Sequence, residues 1–193
     1  MTALHCSEFI LGGARSGKSR EALRVAAAMP ARSRGAFLAT AQALDGDMEA
    51  RIARHRAERP AGWSTLEEPF DVVAALGSLA GRMDVVVLDC LTLWVANLLL
   101  RGDEEKSILA AADALADFLA ERCFSLIIVS NEVGAGVHPA TEVGLRFRDA
   151  LGGVNQRIAA AADRVSYMVA GLPMTVKDVP PHEPSRETAP EAP

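Results

Sequence analysis

Near its start the chain carries a short apolar run, Phe9-Ile10-Leu11, which breaks into a glycine-rich turn. From there on, compact apolar segments alternate with longer stretches of helical period. Ala36–Ala39, Val85–Leu88, Leu126–Val129, Val165–Val169 and Met174–Val176 read as further strands. Val85-Val86-Val87-Leu88 and Leu126-Ile127-Ile128-Val129 are continuously apolar and rich in β-branched residues, the pattern of parallel strands covered on both faces. Between the strands the spacing predicts helices over Ser19–Met29, Asp45–Arg59, Lys106–Arg122 and Thr141–Asp163. In the third of these, Ile108, Leu109, Ala112, Leu115 and Leu119 fall on one stripe; in the second, Met48 and Ile52 mark the apolar face. Pro30 and Pro60 stop the first two helices. Gly152-Gly153 is expected to weaken or kink the last one.

Strand alternating with helix predicts an α/β domain over residues 1–177, a mostly parallel sheet flanked by helices. Residues 178–193 hold five of the ten prolines and no apolar cluster, and they read as a disordered tail.

The turn after the first strand has a chemical signature. Gly12-Gly13-Ala14-Arg15-Ser16-Gly17-Lys18-Ser19 is Gly, four residues, then Gly-Lys-Ser. Gly12 and Gly17 allow the backbone to curl until successive N–H groups point at phosphate oxygens. Lys18 sets a point charge near the β- and γ-phosphates, and the Ser19 hydroxyl reaches a nucleotide-bound Mg²⁺. The helix that follows aims its positive end at the same anion. Asp89 closes the strand Val85–Leu88, where a carboxylate can hold that Mg²⁺; a turn-capping role is the alternative reading.

A second cluster is Arg51-Ile52-Ala53-Arg54-His55-Arg56-Ala57-Glu58-Arg59. On a helix Arg51, His55 and Arg59 share one face. Guanidinium groups around one imidazole suit a polyphosphate. A solvated basic face, or a lid of arginines closing over ATP, would account for the arginines equally well, though not for the histidine.

Charge and composition narrow the classes. Lys plus Arg number 20 against 25 acids, so the 193-residue chain carries a net charge of −5. That balance argues against a nucleic-acid partner and against a motor-type NTPase acting on one. No apolar run is long enough for a transmembrane segment, and no secretory signal is visible, so a cytoplasmic location is expected. Cys6, Cys90 and Cys123 are too few and too scattered for a disulfide framework or a metal-ligand pattern.

Taken together, the motifs resemble one family, the bifunctional adenosylcobinamide kinase / adenosylcobinamide-phosphate guanylyltransferases of cobalamin biosynthesis. The resemblance runs through Gly12–Ser19 (GGARSGKS), Arg51–Pro60 with Trp63 and Glu67, Leu88–Thr92 (LDCLT), Asn131–Pro139 (NEVGAGVHP) and Phe147–Asp163. It implies a P-loop NTPase domain of the RecA-like kind. It also implies two reactions. ATP or GTP first phosphorylates the aminopropanol hydroxyl of adenosylcobinamide. GMP is then transferred from GTP to adenosylcobinamide phosphate, through a guanylylated histidine, giving adenosylcobinamide-GDP and pyrophosphate. His55 stands at the matching position. The implied nucleotide contacts are the loop Gly12, Gly13, Ala14, Arg15, Ser16, Gly17, Lys18 and Ser19. To these are added Ala39, Thr40 and Ala41, then Arg51, Arg56, Ala57, Glu58 and Arg59, with Glu67 and Asp89. A homotrimer is implied as well. Some relatives have two adjacent histidines where this chain has Arg54-His55. A monofunctional kinase of a small metabolite, with an arginine-rich lid, is the alternative that the phosphate loop alone would allow.

Overall fold

The computed structural model describes residues 5–28, 33–42, 46–57, 59–136 and 138–179; the side chains of residues 47, 48 and 50–52 lie outside that description. The elements run β1 (Ser7–Gly12), α1 (Lys18–Ala27), β2 (Gly35–Ala39), α2 (Gly46–Ala57), β3 (Ser64–Glu67), α3 (Val72–Leu79), β4 (Val85–Asp89), α4 (Leu91–Arg101), α5 (Glu105–Glu121), β5 (Ser125–Val129), α6 (Glu142–Ala161), β6 (Arg164–Val169) and β7 (Leu172–Asp178). The strands form one sheet in the order β3-β2-β4-β5-β1-β6-β7. Every neighbouring pair is parallel except β6 with β7. The α/β class and the mostly parallel sheet expected from the alternating pattern are therefore present.

Strand pleating divides the apolar residues between two layers. Phe9, Leu38, Val86, Leu88, Leu126 and Ile128 face the layer that α3, α4, α5 and α6 cover. Ile10, Phe37, Val85, Val87, Ile127 and Val129 face the opposite layer, where Ala22 and Ala26 of α1 pack. β4 and β5 bury both faces, which is why their sequences are continuously apolar.

Three elements went unannounced. β3 is a short edge strand whose side chains are mostly exposed, so no hydrophobic run marks it. α3 and α4 are apolar nearly all round, and a helix buried on most sides shows no clear 3.6-residue contrast. β7 is longer than the expected Met174–Val176, and Pro173 is tolerated in it because it is an edge strand. It reaches Asp178, and the Val179 N–H donates to the Asp163 carbonyl. The remainder of the expected tail, from Pro180, lies outside the described residues, as do Met29, Pro30, Asp45 and Glu58. The predicted face of Met48 and Ile52 falls on undescribed side chains.

Gly152-Gly153 does not break α6, which runs unbroken through both. Each glycine costs a helix about 1 kcal/mol relative to alanine. That cost is outweighed by a stripe of Ala150, Leu151, Val154 and Ile158 buried against the core. Gly153 has a packing role: a Cβ there would come within 2.8 Å of Leu109 Cδ2 on α5. The helix is closed at its other end by Lys177, whose Nζ donates to the carbonyls of Ala159, Ala160 and Ala162.

At the N-terminal edge of the sheet, Asp163 ties distant segments together. Its carboxylate accepts from the Ser7 N–H at 2.8 Å, the Ser7 hydroxyl at 2.9 Å and Arg122 at 2.7 and 2.9 Å. Burial alone would raise this carboxyl; the Arg122 and Ser7 hydrogen bonds outweigh it and hold the group below its usual range. A depressed folded-state pKa stabilises above the unfolded value and loses that contribution as pH falls through the folded one. Asp163→Asn is therefore expected to cost about 2–4 kcal/mol near neutral pH. The gap to the parent protein should shrink below about pH 4. Denaturant titrations of both proteins at neutral and acid pH check it; a gap that does not narrow would refute the charge-based account.

Candidate nucleotide and phosphoryl-transfer site

β1 delivers its last residue, Gly12, to the C-terminal edge of the sheet, and the chain turns there into α1. Gly12 has φ +155° and Gly17, the residue capping α1, has φ +99°. A Cβ at Gly12 would lie 2.9 Å from the Met168 carbonyl oxygen, so both backbone angle and space call for glycine. The loop is braced from outside: the Gly171 N–H donates to the Ser16 carbonyl and the Glu132 N–H to the Gly12 carbonyl. Lys18 is buried and its Nζ donates to the carbonyls of Gly12 and Gly13, at 2.9 and 2.7 Å. Ser16 Oγ is buried within the loop and has no hydrogen-bond partner among the described residues.

β4 sets Asp89 opposite this loop. The strand end is held by Thr40, which is fully buried. The Thr40 hydroxyl donates to the Cys90 carbonyl at 2.8 Å and accepts from the Cys90 N–H at 3.0 Å. Asn97 of α4 in turn donates to the Thr40 carbonyl. The segment Ala39-Thr40-Ala41 thus stands beside the site, with its threonine side chain spent on fixing the turn after Asp89. The Cys90 thiol is pushed up to about 11 by burial and by the Asp89 charge, so it is no nucleophile at neutral pH.

α2 brings His55 over the loop. His55 Nδ1 lies 3.7 Å from Asp89 Oδ2, and both side chains are about a quarter exposed. The helix is fastened at its C-terminal end to the sheet edge. Arg56 pairs with Glu67 at the end of β3. Arg59 donates to Thr65 Oγ1 at 2.7 Å and lies over the Phe37 ring, 4.7 Å from its centre. Arg56, Arg59 and Glu67 are thus gathered at one place, with Ala57 exposed beside them. The Arg51 side chain and Glu58 lie outside the described residues.

The result is a cleft of about 460 Å³ between the phosphate loop, α2 and the ends of β4 and β5. Lys18, Ser19, His55 and Asp89 line it, as the sequence led one to expect. Arg20, Arg54, Cys90 and Asn131 line it too, and the sequence reading assigns none of these four a nucleotide contact. Asn131 could have been found, since it lies two residues beyond the strand Leu126–Val129. Its N–H donates to Thr92 Oγ1 and its carbonyl accepts from Asn155, so α4 and α6 both anchor it.

A glycine-rich phosphate loop between a parallel strand and a helix, facing a strand-end carboxylate, defines a P-loop NTPase of the RecA-like kind. The KaiC-like protein PH0186 of Pyrococcus horikoshii shares this fold, with a TM-score of 0.50 at 15% identity over 84% of this chain and 70% of that one. The particular family is given by sequence. Residues 8–176 match the model of the cobinamide kinase / cobinamide phosphate guanyltransferase family, and the chain belongs to that family. It is 48% identical over 173 residues to the bifunctional adenosylcobalamin biosynthesis protein CobP of Pseudomonas aeruginosa, covering 90% of this chain and 98% of that protein. To the bifunctional adenosylcobalamin biosynthesis protein CobU of Salmonella typhimurium it is 37% identical over 180 residues, covering 87% and 98%. The family's two named activities, a kinase and a guanyltransferase, make this an enzyme family of cobalamin biosynthesis. No helix among the described residues is long and apolar enough to cross a membrane.

Proposed function

We propose that this protein phosphorylates the aminopropanol hydroxyl of adenosylcobinamide with ATP or GTP, and then moves GMP from GTP onto that phosphate through His55. The observation that carries the reading is the position of His55. It lines the same cleft as Lys18 and Asp89, on a helix fastened over the phosphate loop.

In the kinase step the loop N–H groups and Lys18 hold the β- and γ-phosphates, and the substrate hydroxyl attacks the terminal phosphorus. The Ser19 hydroxyl and the Asp89 carboxylate are oxygen donors lining one cleft, a set that fits a Mg²⁺ shared with the nucleotide phosphates. When bound there, the ion would neutralise charge building on the transferring group. In the transferase step a ring nitrogen of His55 attacks the α-phosphorus of GTP and the bond to the β-phosphate breaks, releasing pyrophosphate. An oxygen of the substrate phosphate then attacks the same phosphorus, and the P–N bond breaks. Arg56, at the end of α2, and Arg59, just beyond it, would approach the nucleotide, and Glu67 can accept hydrogen bonds from a guanine edge. A homotrimer is part of the same reading; the exposed Leu100 and Val143 offer such an assembly an apolar face to cover.

The test is incubation with α-labelled GTP and Mg²⁺, followed by denaturing electrophoresis. Label that stays with the protein, is lost in acid and survives alkali identifies a phosphoramidate on histidine or lysine, and its loss in His55→Ala but not in Lys18→Arg assigns it to His55. Label that never joins the protein would leave a kinase alone.

A further inference from the structure

The charge lining the cleft is one-sided. Arg15, Lys18, Arg20 and Arg54 line it, and among the described residues Asp89 is the carboxylate that lines it with them. Arg15, Arg20 and Arg54 make no ion pair among the described residues, in contrast to Arg56, which has Glu67, and Arg59, which has Thr65 and the Phe37 ring. Among the described residues Arg20 hydrogen-bonds the Gly171 carbonyl alone, at 3.4 Å. Guanidinium groups gathered in one cleft raise one another's energy, and an anion relieves that. Arg54 comes from α2 and Arg15 from the phosphate loop, so two separate segments each bring a guanidinium to the same cleft.

Displacement chemistry says which anion. In an in-line displacement at phosphorus, the entering and leaving groups lie on opposite sides. In the first transfer His55 enters and pyrophosphate leaves. In the second, His55 leaves, so the acceptor phosphate must enter from the side pyrophosphate left. Attack from elsewhere would need the guanylyl group to turn over on the histidine. The cleft holds one phosphate loop, so the acceptor's phosphate has to be gripped there.

We propose that Arg54 and Arg15 form a clamp for the phosphomonoester of the acceptor, holding it in the place pyrophosphate has left. This rests on the guanylyl-histidine reading. Atoms balance: an acceptor oxygen forms the new P–O bond, the P–N bond breaks, and His55 recovers its electron pair. Arg54 is a phosphate-positioning residue.

The test separates the half-reactions. Enzyme guanylylated with labelled GTP and freed of nucleotide is mixed either with adenosylcobinamide phosphate or with pyrophosphate, which re-forms GTP. In Arg54→Gln, half-saturating concentrations of both should rise together by about tenfold or more, the loss of one charge-assisted contact. Guanylylation by saturating GTP should fall by no more than about threefold, since Lys18 and the loop still hold the nucleotide. Arg54→Lys should recover part of the loss. A loss confined to guanylylation, a loss toward the acceptor without one toward pyrophosphate, or no loss at all would overturn the clamp. Failure of the parent protein to take up label would instead refute the histidine reading itself.

Discussion

Lys18→Ala is expected to abolish both phosphorylation of the alcohol and transfer of GMP, each falling by about 10²–10³-fold or more. Nothing else lining the loop can take over. Lys18 is buried in the loop, its ammonium resting on the Gly12 and Gly13 carbonyls at the mouth of the phosphate cradle. Arg15 and Arg20 start farther out, on the exposed rim. The two reactions draw on the same β- and γ-phosphate grip, so both should fail together. Assaying each step separately decides it. A variant that still transfers GMP at the parent rate would require a second nucleotide site and would refute the single-cleft account.

The second large effect divides the activities instead of joining them. His55→Ala should reduce GMP transfer to background, by about 10⁴-fold or more, because alanine offers no nucleophile. Phosphoryl transfer to the alcohol needs positioning, Mg²⁺ and Lys18, and no covalent enzyme intermediate, so much of it should survive. The histidine sits 3.7 Å from Asp89, so its loss also changes the surroundings of that carboxylate. Thermal stability and GTP binding of the variant therefore have to be measured first. With both normal, label from α-labelled GTP remaining on the His55→Ala protein would transfer the nucleophile's role to another residue.

How much of this was legible in the residues differs from element to element. The phosphate loop was, because backbone curvature and a buried ammonium tolerate few side chains, and Gly12 and Lys18 stand where those demands put them. The central strands β4 and β5 were legible for a similar reason: burial on both faces leaves only apolar residues. α4 was not. Leu91–Val95 continues the apolar run of Val85–Leu88 across only Asp89 and Cys90, so hydropathy shows no break where strand becomes helix. In α6 local propensity pointed the wrong way, and the neighbouring helix α5 explains why a glycine is wanted at position 153. In the site, helical phase grouped His55 with Arg59, but α2 ends at Ala57, so Arg59 comes from beyond the helix, and phase says nothing of what Arg54 faces. Arg54 reaches the cleft only through the way α2 crosses it, and that crossing is set by Glu67, Thr65 and Phe37, distant in sequence.

The pairing of β1 has a consequence for the order in which the enzyme comes into being. Its neighbours in the sheet are β5, residues 125–129, and β6, residues 164–169. During synthesis the phosphate-binding turn leaves the ribosome ahead of its sheet neighbours, and waits for partners made more than a hundred residues later. Until then β1 exposes an apolar strand with both edges unpaired, a segment for which chaperones are the natural guardians. Such distant pairing also slows folding, since loop closure precedes any reward. Nucleotide binding is therefore among the last properties the nascent chain acquires, and it reports that the whole sheet has been assembled.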